Sequence, residues 1–314
     1  MPTIRPTREE DLPFLADLLD GIFRRSRGIH DQSMLTDFPL VFAPDNWRNG
    51  RVVWQDDRLV AHAALWRREA VIHGQRLVIG VLVAVATHPD YRRRGYAAQA
   101  VMSLQAQMAQ EEYDLGLLWT AAPDFYLKQG WEPVERLGTT ITLSPARLPP
   151  ERPTDVAIAD LTIARFDPQQ AGAVYEMHER ESIRFLRSPQ ESRTLLDLPK
   201  IDTWVASRAG QAVGYLVHAG GCNKRGLIEY GGELDAIVDL ACHVARRQKA
   251  GTALPLLAYH VRPDLIDWAE QMGLPLAPLH SSKGFGHEMI LRVRRDRVST
   301  DHFPQLFAWG LDQA

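Results

Sequence analysis

The feature of this 314-residue chain that most constrains its fold is an apolar run followed by a basic turn and a helix-forming segment. Val81 to Thr87 is apolar or β-branched throughout, which predicts a strand buried on both faces. Pro89 ends this strand, because a proline has no N–H to donate to a neighbouring strand. From Ala97 to Gln110 almost every residue is a good helix former. The turn between strand and helix contains the run Arg92-Arg93-Arg94-Gly95-Tyr96.

A strand, a basic glycine turn and a helix in this order are typical of a binding site for a diphosphate. The first N–H groups of a helix and the helix dipole both favour an anion at that end. Gly95 has no Cβ to keep phosphate oxygens away from the backbone, and the small Ala97 leaves the next turn open. The G-x-G-x-x-G and G-K-[ST] phosphate motifs are absent from this stretch. Taken alone, the pattern also fits a basic surface turn ahead of an ordinary amphipathic helix.

The pattern R-x-x-G-x-A, formed by Arg92, Gly95 and Ala97 after a V-x-x-H-P strand end, resembles the coenzyme A pyrophosphate loop of the GNAT superfamily of N-acetyltransferases. The resemblance implies that acetyl-CoA is the cosubstrate. It also implies that the cofactor contacts the end of the strand, the turn and the start of the helix. The residues at these places are Val85, Ala86, Thr87, Arg92, Arg93, Arg94, Gly95, Tyr96, Ala97 and Ala98.

A second stretch also resembles the superfamily, whose members carry Y-x-x-x-G-[FW] beside the thioester sulfur. Tyr126, Gly130 and Trp131 occupy this pattern. The resemblance implies that Tyr126 is the general acid, and a phenol with a pKa of about 10 keeps its proton at neutral pH. Residues 121–123 are Ala-Ala-Pro where members often have an asparagine, so only backbone contacts to the cofactor are expected there. The alternative for Tyr126 is a core tyrosine with its hydroxyl at the surface.

Acetyl transfer to an amine makes further demands on the site. The tetrahedral oxyanion needs positioned donors, and backbone N–H groups near Val85 are predicted to supply them. An alkylamine is protonated at neutral pH, so a base is also required. Three routes remain open: a carboxylate acting through water, the terminal carboxylate of Ala314, and loss of the proton to solvent. The loop also resembles the V-x-x-x-P-x-x-R-R-R-G loop of the enhanced-intracellular-survival branch, which has a second acetyltransferase-like half. Ala314 is included because the resemblance to this branch implies a role for the terminal carboxylate.

The length of the chain favours two domains. The predicted fold class is α+β, with two tandem GNAT-like domains that each have a mixed, mostly antiparallel sheet flanked by helices. Residues 1–148 are predicted to be the catalytic domain and residues 149–158 a proline-rich linker. Residues 159–314 are predicted to be a degenerate GNAT-like domain with an apolar C-terminal tail.

The second half repeats the order of elements but not the chemistry. A strand at 161–165, a hairpin around 208–211 and a strand at 227–230 correspond to elements of the first half. No arginine-glycine turn follows, and Glu233 and Asp235 would repel a diphosphate. This half is predicted to support the first and to form a wall of the acceptor cleft. Its Gly-Gly pair at 231–232 fits a bulge or turn better than a site for another ligand.

The irregular stretch Arg24 to Trp47 borders the acceptor site in the family that the chain resembles. It contains polar side chains that fit a solvated loop and helix caps better than a binding role. These residues are His30, Asp31, Asp37 and Asp45.

Charge and composition limit the classes of molecule that the protein is expected to bind. The net charge of −3 argues against a nucleic-acid partner. The sequence has no apolar leader and no apolar segment long enough to cross a bilayer, so we expect a cytoplasmic protein that does not bind membranes. It also has no H-E-x-x-H or C-x-x-C motif, so we expect no bound metal. The apolar tail at 301–314 is expected to dock on its own chain or on another copy, which allows a homo-oligomer. The predicted function is acetyl transfer from acetyl-CoA to a small-molecule or peptide amine, and the alternative is a non-catalytic acyl-CoA sensor or scaffold.

Overall fold

The structure is a computed structural model that describes residues 1–72, 74–134, 139–148, 161–220, 225–249, 252–258, 262–278, 287–294 and 296–298. The predicted linker at 149–158, the apolar tail at 301–314 and the Ala314 carboxylate lie outside these residues. In the described part, no helix has the length and apolarity needed to cross a bilayer.

The first half of the chain is built around a long hairpin of two strands, with further strands and helices beside it. Its strands are β1 (Thr3–Pro6), β2 (Gly50–Gln55), β3 (Arg58–Ile72), β4 (Gln75–Thr87), β5 (Leu115–Thr120), β6 (Glu132–Val134) and β7 (Thr139–Leu143). Its α-helices are α1 (Leu12–Phe23), α2 (Met34–Asp37), α3 (Tyr96–Gln110) and α4 (Pro123–Leu127). The strand predicted at 81–87 is the second half of β4, and the helix predicted from Ala97 begins one residue earlier.

The second half repeats this order of elements. Its strands are β8 (Leu161–Arg165), β9 (Ile183–Phe185), β10 (Ile201–Arg208), β11 (Gln211–Gly220), β12 (Arg225–Gly232), β13 (Leu254–Ala258), β14 (Leu276–Pro278) and β15 (His287–Arg292). Its helices are α5 (Ala171–Glu179), α6 (Pro189–Leu196), α7 (Leu234–Arg246) and α8 (Pro263–Gln271).

These strands form two mixed sheets. The first has the order β1-β2-β3-β4-β5-β15-β6 with β9 added to β3, and the second has the order β14-β7-β13-β12-β11-β10-β8. The β4–β5 and β12–β13 pairs are parallel, and the other pairs in the described residues are antiparallel. The predicted α+β class with two mostly antiparallel sheets and flanking helices is confirmed.

Each sheet contains at least one strand from the other half of the chain, and the first sheet contains both β9 and β15. β15 comes from the second half but lies between β5 and β6 in the first sheet. β7 comes from the first half but lies between β13 and β14 in the second sheet. The domain limits 1–148 and 159–314 remain a prediction, and the two sheets are linked across them by backbone hydrogen bonds.

The first sheet is packed on both faces. One face carries α3, and Leu65, Leu104 and Met289 belong to its apolar cluster. We call this the α3 face. The opposite face, which we call the α1 face, packs on α1, and its cluster includes Ile290 and continues into the core of the second sheet. The two halves therefore share one hydrophobic core.

Because β15 completes the first sheet, a cavity in this strand should destabilise the whole chain. Ile290 is 1% exposed, and Ile290→Ala is expected to lower the free energy of unfolding by about 2–5 kcal/mol. Urea unfolding followed by tryptophan fluorescence should show one transition with a lower midpoint. His287→Ala, on the exposed end of the same strand, is the control and should change stability by less than about 0.5 kcal/mol. Two separate transitions, with only one sensitive to Ile290→Ala, would contradict a shared fold.

Candidate active site

The first sheet opens between its two parallel strands. β4 and β5 pair only from Ile79 to Val81 on one side and from Leu115 to Leu117 on the other. β4 nevertheless continues to Thr87, and β5 continues beyond Leu117. The ends of these strands therefore leave backbone groups that no parallel ladder uses.

A β-bulge lies in β4 beside this opening. Two residues of β4, Ala84 and Val85, stand opposite one residue of β3, Ala63, where the register shifts. Ala84 has φ +52°, in the left-handed region that residues with a Cβ rarely adopt. β3 has no register partner for either bulge residue, and β5 does not reach them, so Val85 lies where the β3–β4 ladder is interrupted and β5 is absent. The predicted oxyanion donors near Val85 coincide with this bulge.

The basic turn at the end of β4 opens onto the first turn of α3. Arg93 and Gly95 have φ values of +63° and +81°, and Gly95 is the residue that precedes the helix. A Cβ at Gly95 would meet only the Gln99 side chain, at 3.7 Å. The backbone conformation, rather than crowding, therefore explains the glycine. Gln99 makes the first helical hydrogen bond, to the Gly95 carbonyl, so the N–H groups before it are directed out of the helix end.

The arginines of this turn lie at the surface around a tyrosine ring. The Arg94 guanidinium lies 4.9 Å from the centre of the Tyr91 ring, and that of Arg58 lies 5.9 Å from it. Nη2 of Arg58 is also 2.8 Å from Nε2 of His88. Arg58 belongs to the β2–β3 hairpin and was not among the predicted cofactor residues. The sequence gives no signal for it, since only the pairing of β3 with β4 brings it to the turn.

Tyr126 is held in the α3 face beyond the end of β5. Its ring packs edge-on against Phe125 at 4.8 Å and Trp131 at 6.2 Å between ring centres. The N–H groups of Gln129 and Trp131 both donate to the Tyr126 carbonyl, and Gly130 has φ +84°. The Y-x-x-x-G-W pattern is therefore a short helix closed by a left-handed glycine.

Burial sets the protonation state of the Tyr126 phenol. The side chain is 7% exposed, and removal from water raises its pKa above the ordinary value of tyrosine. The Thr120 hydroxyl, at the end of β5, acts in the opposite direction and more weakly. Tyr126 therefore keeps its proton throughout the neutral range, beside the open end of β5.

A buried carboxylate on the opposite face comes from the second half of the chain. Glu288 of β15 pairs with Trp119 of β5 and is 2% exposed. Its neighbours Met289 and Ile290 pack on the α3 and α1 faces respectively, so the alternation of a strand places Glu288 on the α1 face. Sequence reasoning missed Glu288, because nothing local shows that β15 joins the first sheet.

Two of the polar residues of the predicted acceptor loop, Asp37 and Asp31, have structural partners. Asp37 accepts hydrogen bonds from the buried Arg24 side chain, and the Nε–Oδ2 distance is 3.0 Å. Asp31 forms an ion pair of 2.9 Å with Lys200 of the second half. This ion pair joins exposed side chains of the loop and of the second half, and the acceptor cleft between the halves stays a prediction.

The corresponding position in the second half is occupied by the protein's own charges. Arg208 forms ion pairs with Glu233 and Asp235 at the start of α7. Gly232 has φ +104°, and a Cβ there would lie 2.2 Å from the Val213 carbonyl oxygen. The glycine pair at 231–232 thus serves the contact between two strands. Elsewhere in the described residues, no three His, Cys, Asp or Glu side chains form a group that could hold a metal ion.

The parted strands, the arginine turn and Tyr126 all lie within residues 3–134, which match the family model described as an acetyltransferase (GNAT) domain. This part of the chain is a GNAT domain. The predicted resemblance is therefore confirmed for the half that carries the motifs.

A curated relative is similar over part of this GNAT domain. The aminoglycoside 2′-N-acetyltransferase of Mycolicibacterium fortuitum is 38% identical to the chain over 90 residues. The aligned region covers 28% of this chain and 45% of that protein. The chain thus spans less than half the length of this relative.

Solved structures share the fold of nearly the whole chain. A probable N-acyltransferase from Enterococcus faecalis has a TM-score of 0.70 at 15% identity, covering 93% of this chain and 73% of that one. A GCN5-related N-acetyltransferase from Kribbella flavida has a TM-score of 0.64 at 14% identity, with coverage of 92% and 70%. Eis1 from Mycobacterium abscessus has a TM-score of 0.59 at 15% identity, with coverage of 93% and 74%. At the level of the fold, the likeness to the enhanced-intracellular-survival branch is confirmed.

The conformation of Gly95 should matter for cofactor binding and not only for stability. Gly95→Ala places a Cβ on a left-handed backbone, which costs about 1–2 kcal/mol. We expect the turn to relax and the Kd for acetyl-CoA to rise roughly tenfold, measured by calorimetry. Gly210→Ala is the matched control, since Gly210 has φ +78° and equally open surroundings in a distant hairpin. Equal cofactor affinity in the two variants would show that this turn does not hold the diphosphate.

Proposed function

We propose that the protein is an N-acetyltransferase that moves an acetyl group from acetyl-CoA to a primary amine by direct attack. One observation carries this proposal: the two parallel strands part at Val81 and Leu117, with the arginine turn beyond one strand and Tyr126 beyond the other. A diphosphate at the turn and a thioester between the strands would use both features.

The cofactor end of the proposed site is electrostatic. The N–H groups of Tyr96, Ala97 and Ala98 begin α3, and the helix dipole adds a partial positive charge there. The exposed guanidinium groups at 92–94 supply further donors for phosphate oxygens. Val85, Ala86 and Thr87 would lie along the pantetheine arm, where β4 has no parallel partner. These cofactor contacts follow the family pattern residue by residue.

The proposed reaction passes through a tetrahedral intermediate. The amine nitrogen bonds to the thioester carbon, and the carbonyl oxygen becomes an oxyanion that accepts a hydrogen bond from the Val85 N–H. The C–S bond then breaks, and the thiolate takes the proton of the Tyr126 hydroxyl. The amine loses a proton to a base, and that proton restores the phenol. The products are an amide and free CoA thiol.

The raised pKa of Tyr126 is compatible with a general acid. An exposed thiol has a pKa of about 8.5, so a phenol gives its proton to an exposed thiolate unfavourably. Burial in a site without water raises the pKa of the departing thiol as well. Because the same desolvation acts on both groups, it does not by itself oppose the proton transfer from Tyr126.

The base has three proposed routes, and we favour the route through a carboxylate, which the buried Glu288 supports. Glu288 lies one strand beyond β5, on the α1 face, while Tyr126 lies on the α3 face. A base and an acid on opposite faces suit an amine that attacks from one side while sulfur leaves on the other. There are two alternative routes for the proton of the amine. It is transferred to the Ala314 carboxylate, which lies outside the described residues, or it is lost to solvent.

The proposed acceptors are small-molecule or peptide amines. The similarity to an aminoglycoside 2′-N-acetyltransferase supports amino sugars as the first class to test. We further propose that the protein acts in the cytoplasm and binds neither nucleic acid nor membrane. The proposal is compatible with a homo-oligomer.

A non-catalytic acyl-CoA sensor is the second candidate. The observation that favours it is the packing of Tyr126 between Phe125 and Trp131, which a purely structural tyrosine would share. The two functions are separated by incubating acetyl-CoA with a panel of aminoglycosides, polyamines, amino acids and peptides, and by measuring thiol release. Thiol release that depends on an amine indicates the enzyme. Calorimetric binding of acetyl-CoA without thiol release across the panel indicates the sensor.

Removing the Tyr126 hydroxyl should affect turnover far more than binding. Tyr126→Phe keeps the ring contacts and is expected to lower kcat by about 10²–10⁴-fold. The Kd for acetyl-CoA should change by less than about twofold, because the hydroxyl acts only as sulfur departs. Tyr113→Phe is the control, since Tyr113 is another buried tyrosine of the same cluster. A wild-type rate in Tyr126→Phe would remove Tyr126 from the mechanism.

The pH dependence should reflect the amine and not the phenol. An alkylamine with a pKa of about 10.4 gains its free-base form as pH rises, so kcat/KM for the acceptor should increase. Burial raises the pKa of Tyr126, so the acid remains protonated and no falling limb is expected below pH 10. The rates are measured by thiol release, with amine-free hydrolysis subtracted. A decline of the rate between pH 8 and pH 9.5 would indicate an acid other than Tyr126.

A further inference from the structure

A buried histidine contacts the bulge of β4. His62 lies on β3, is 1% exposed, and pairs with Ala86 of β4. Its Nδ1 is 2.9 Å from the carbonyl oxygen of Ala84, the bulge residue with a positive φ. The Phe42 ring lies 6.0 Å away on the α1 face. No motif of the sequence singled out His62.

The contact fixes the tautomer of the imidazole. A carbonyl oxygen only accepts hydrogen bonds, so Nδ1 must carry a proton and donate it. Burial lowers the pKa of His62 to about 4, so the ring is neutral at physiological pH. The bond to Ala84 and the negative charge of the Asp11 carboxylate oppose this lowering of the pKa only in part. Asp11 itself is paired with Arg5, so the neutral Nδ1–H form is the one that the surroundings favour.

The geometry of a peptide unit carries the effect of this bond to the other side of β4. The Ala84 carbonyl and the Val85 N–H belong to the same peptide unit. In a trans peptide these groups point in opposite directions, and the described residues contain no cis peptide. A donor that holds the carbonyl on the β3 side therefore directs the N–H away from β3, toward the gap between β4 and β5.

We propose that His62 is a positioning residue whose Nδ1–H holds the Ala84 carbonyl and thereby aims the Val85 N–H at the thioester oxygen. This inference rests on the proposed acetyltransferase function and adds a named residue to it. An apolar side chain would fill the space beside Phe42 without the desolvation of an imidazole, so the polar group is explained by the bond that it makes. In this proposal His62 acts through the Ala84 peptide and not by contact with the cosubstrate or the acceptor.

Two substitutions of similar size separate positioning from packing. His62→Leu fills much of the same space but has no donor. His62→Asn places its amide nitrogen near the position of Nδ1 and can still donate to Ala84. We expect His62→Leu to lower kcat about 10²-fold, as for loss of an oxyanion donor, with the Kd for acetyl-CoA changed less than about twofold. His62→Asn should recover kcat to within about fivefold of the wild type.

A spectroscopic measurement tests the same point without turnover. The carbonyl stretch of ¹³C-labelled acetyl-CoA should shift to lower frequency on binding to the wild type, because the Val85 N–H polarises the carbonyl. The shift should be absent in His62→Leu and present in His62→Asn. Equal shifts in all three proteins, or equal kcat values, would overturn the proposal. Absence of any thiol release by the wild type would instead count against the acetyltransferase function.

The wild-type protein gives an independent test if His62→Leu does not fold. Nitrogen-15 NMR of the histidine rings should show His62 as the neutral Nδ1–H tautomer from pH 6 to pH 9. This supports the proposal, since only that tautomer donates to the Ala84 carbonyl. An Nε2–H tautomer or a protonated ring in this range would overturn it.

Discussion

The end of hydrogen bonding between β4 and β5 is the constraint on which the rest of the structure depends. Neighbouring strands of a continuous sheet are about 5 Å apart, which leaves no space for a ligand between them. Here both strands continue past the last pair, and elements on their outer sides hold them. The bulge at Ala84, bonded to His62, changes the course of β4, while β15 pairs with β5 as far as Thr120. The gap is thus maintained by contacts that a ligand does not need to displace.

The parts of this arrangement that are built from neighbouring residues could be predicted from the sequence. Local preferences alone determine three features: the apolar run that ends at Thr87 forms a strand, Pro89 ends that strand, and Gly95 precedes the helix. The structure places β4, the turn and α3 accordingly, with β4 extended backward by the hairpin to Gln75. Tyr126 and its closing glycine are predictable for the same reason, since their pattern spans a single helical turn.

The parts that depend on pairing between distant segments could not be predicted in this way. The alternation in β15 indicates a strand but does not say which sheet it joins, because β5 and β13 both need an antiparallel neighbour. Glu288 therefore has no place near the GNAT motifs until the topology is known. His62 is hidden for a related reason: its partner is a backbone carbonyl at a bulge, and a bulge leaves little trace in the residue pattern.

The two halves show why a second GNAT-like unit without a phosphate turn can be required. Among the described residues, the parallel strands β12 and β13 pair at Leu227 and Leu256. The Arg262 guanidinium there donates to the Gly232 carbonyl and lies 3.6 Å from Glu181, while Arg208 is paired with the carboxylates at the start of α7. These ion pairs occupy the place that a diphosphate would need. The same half nevertheless supplies β15, and with it Glu288, to the first sheet. In the proposed mechanism its contribution is therefore a strand and a carboxylate rather than a cofactor pocket, and a GNAT domain cut free of it would lose the partner of β5.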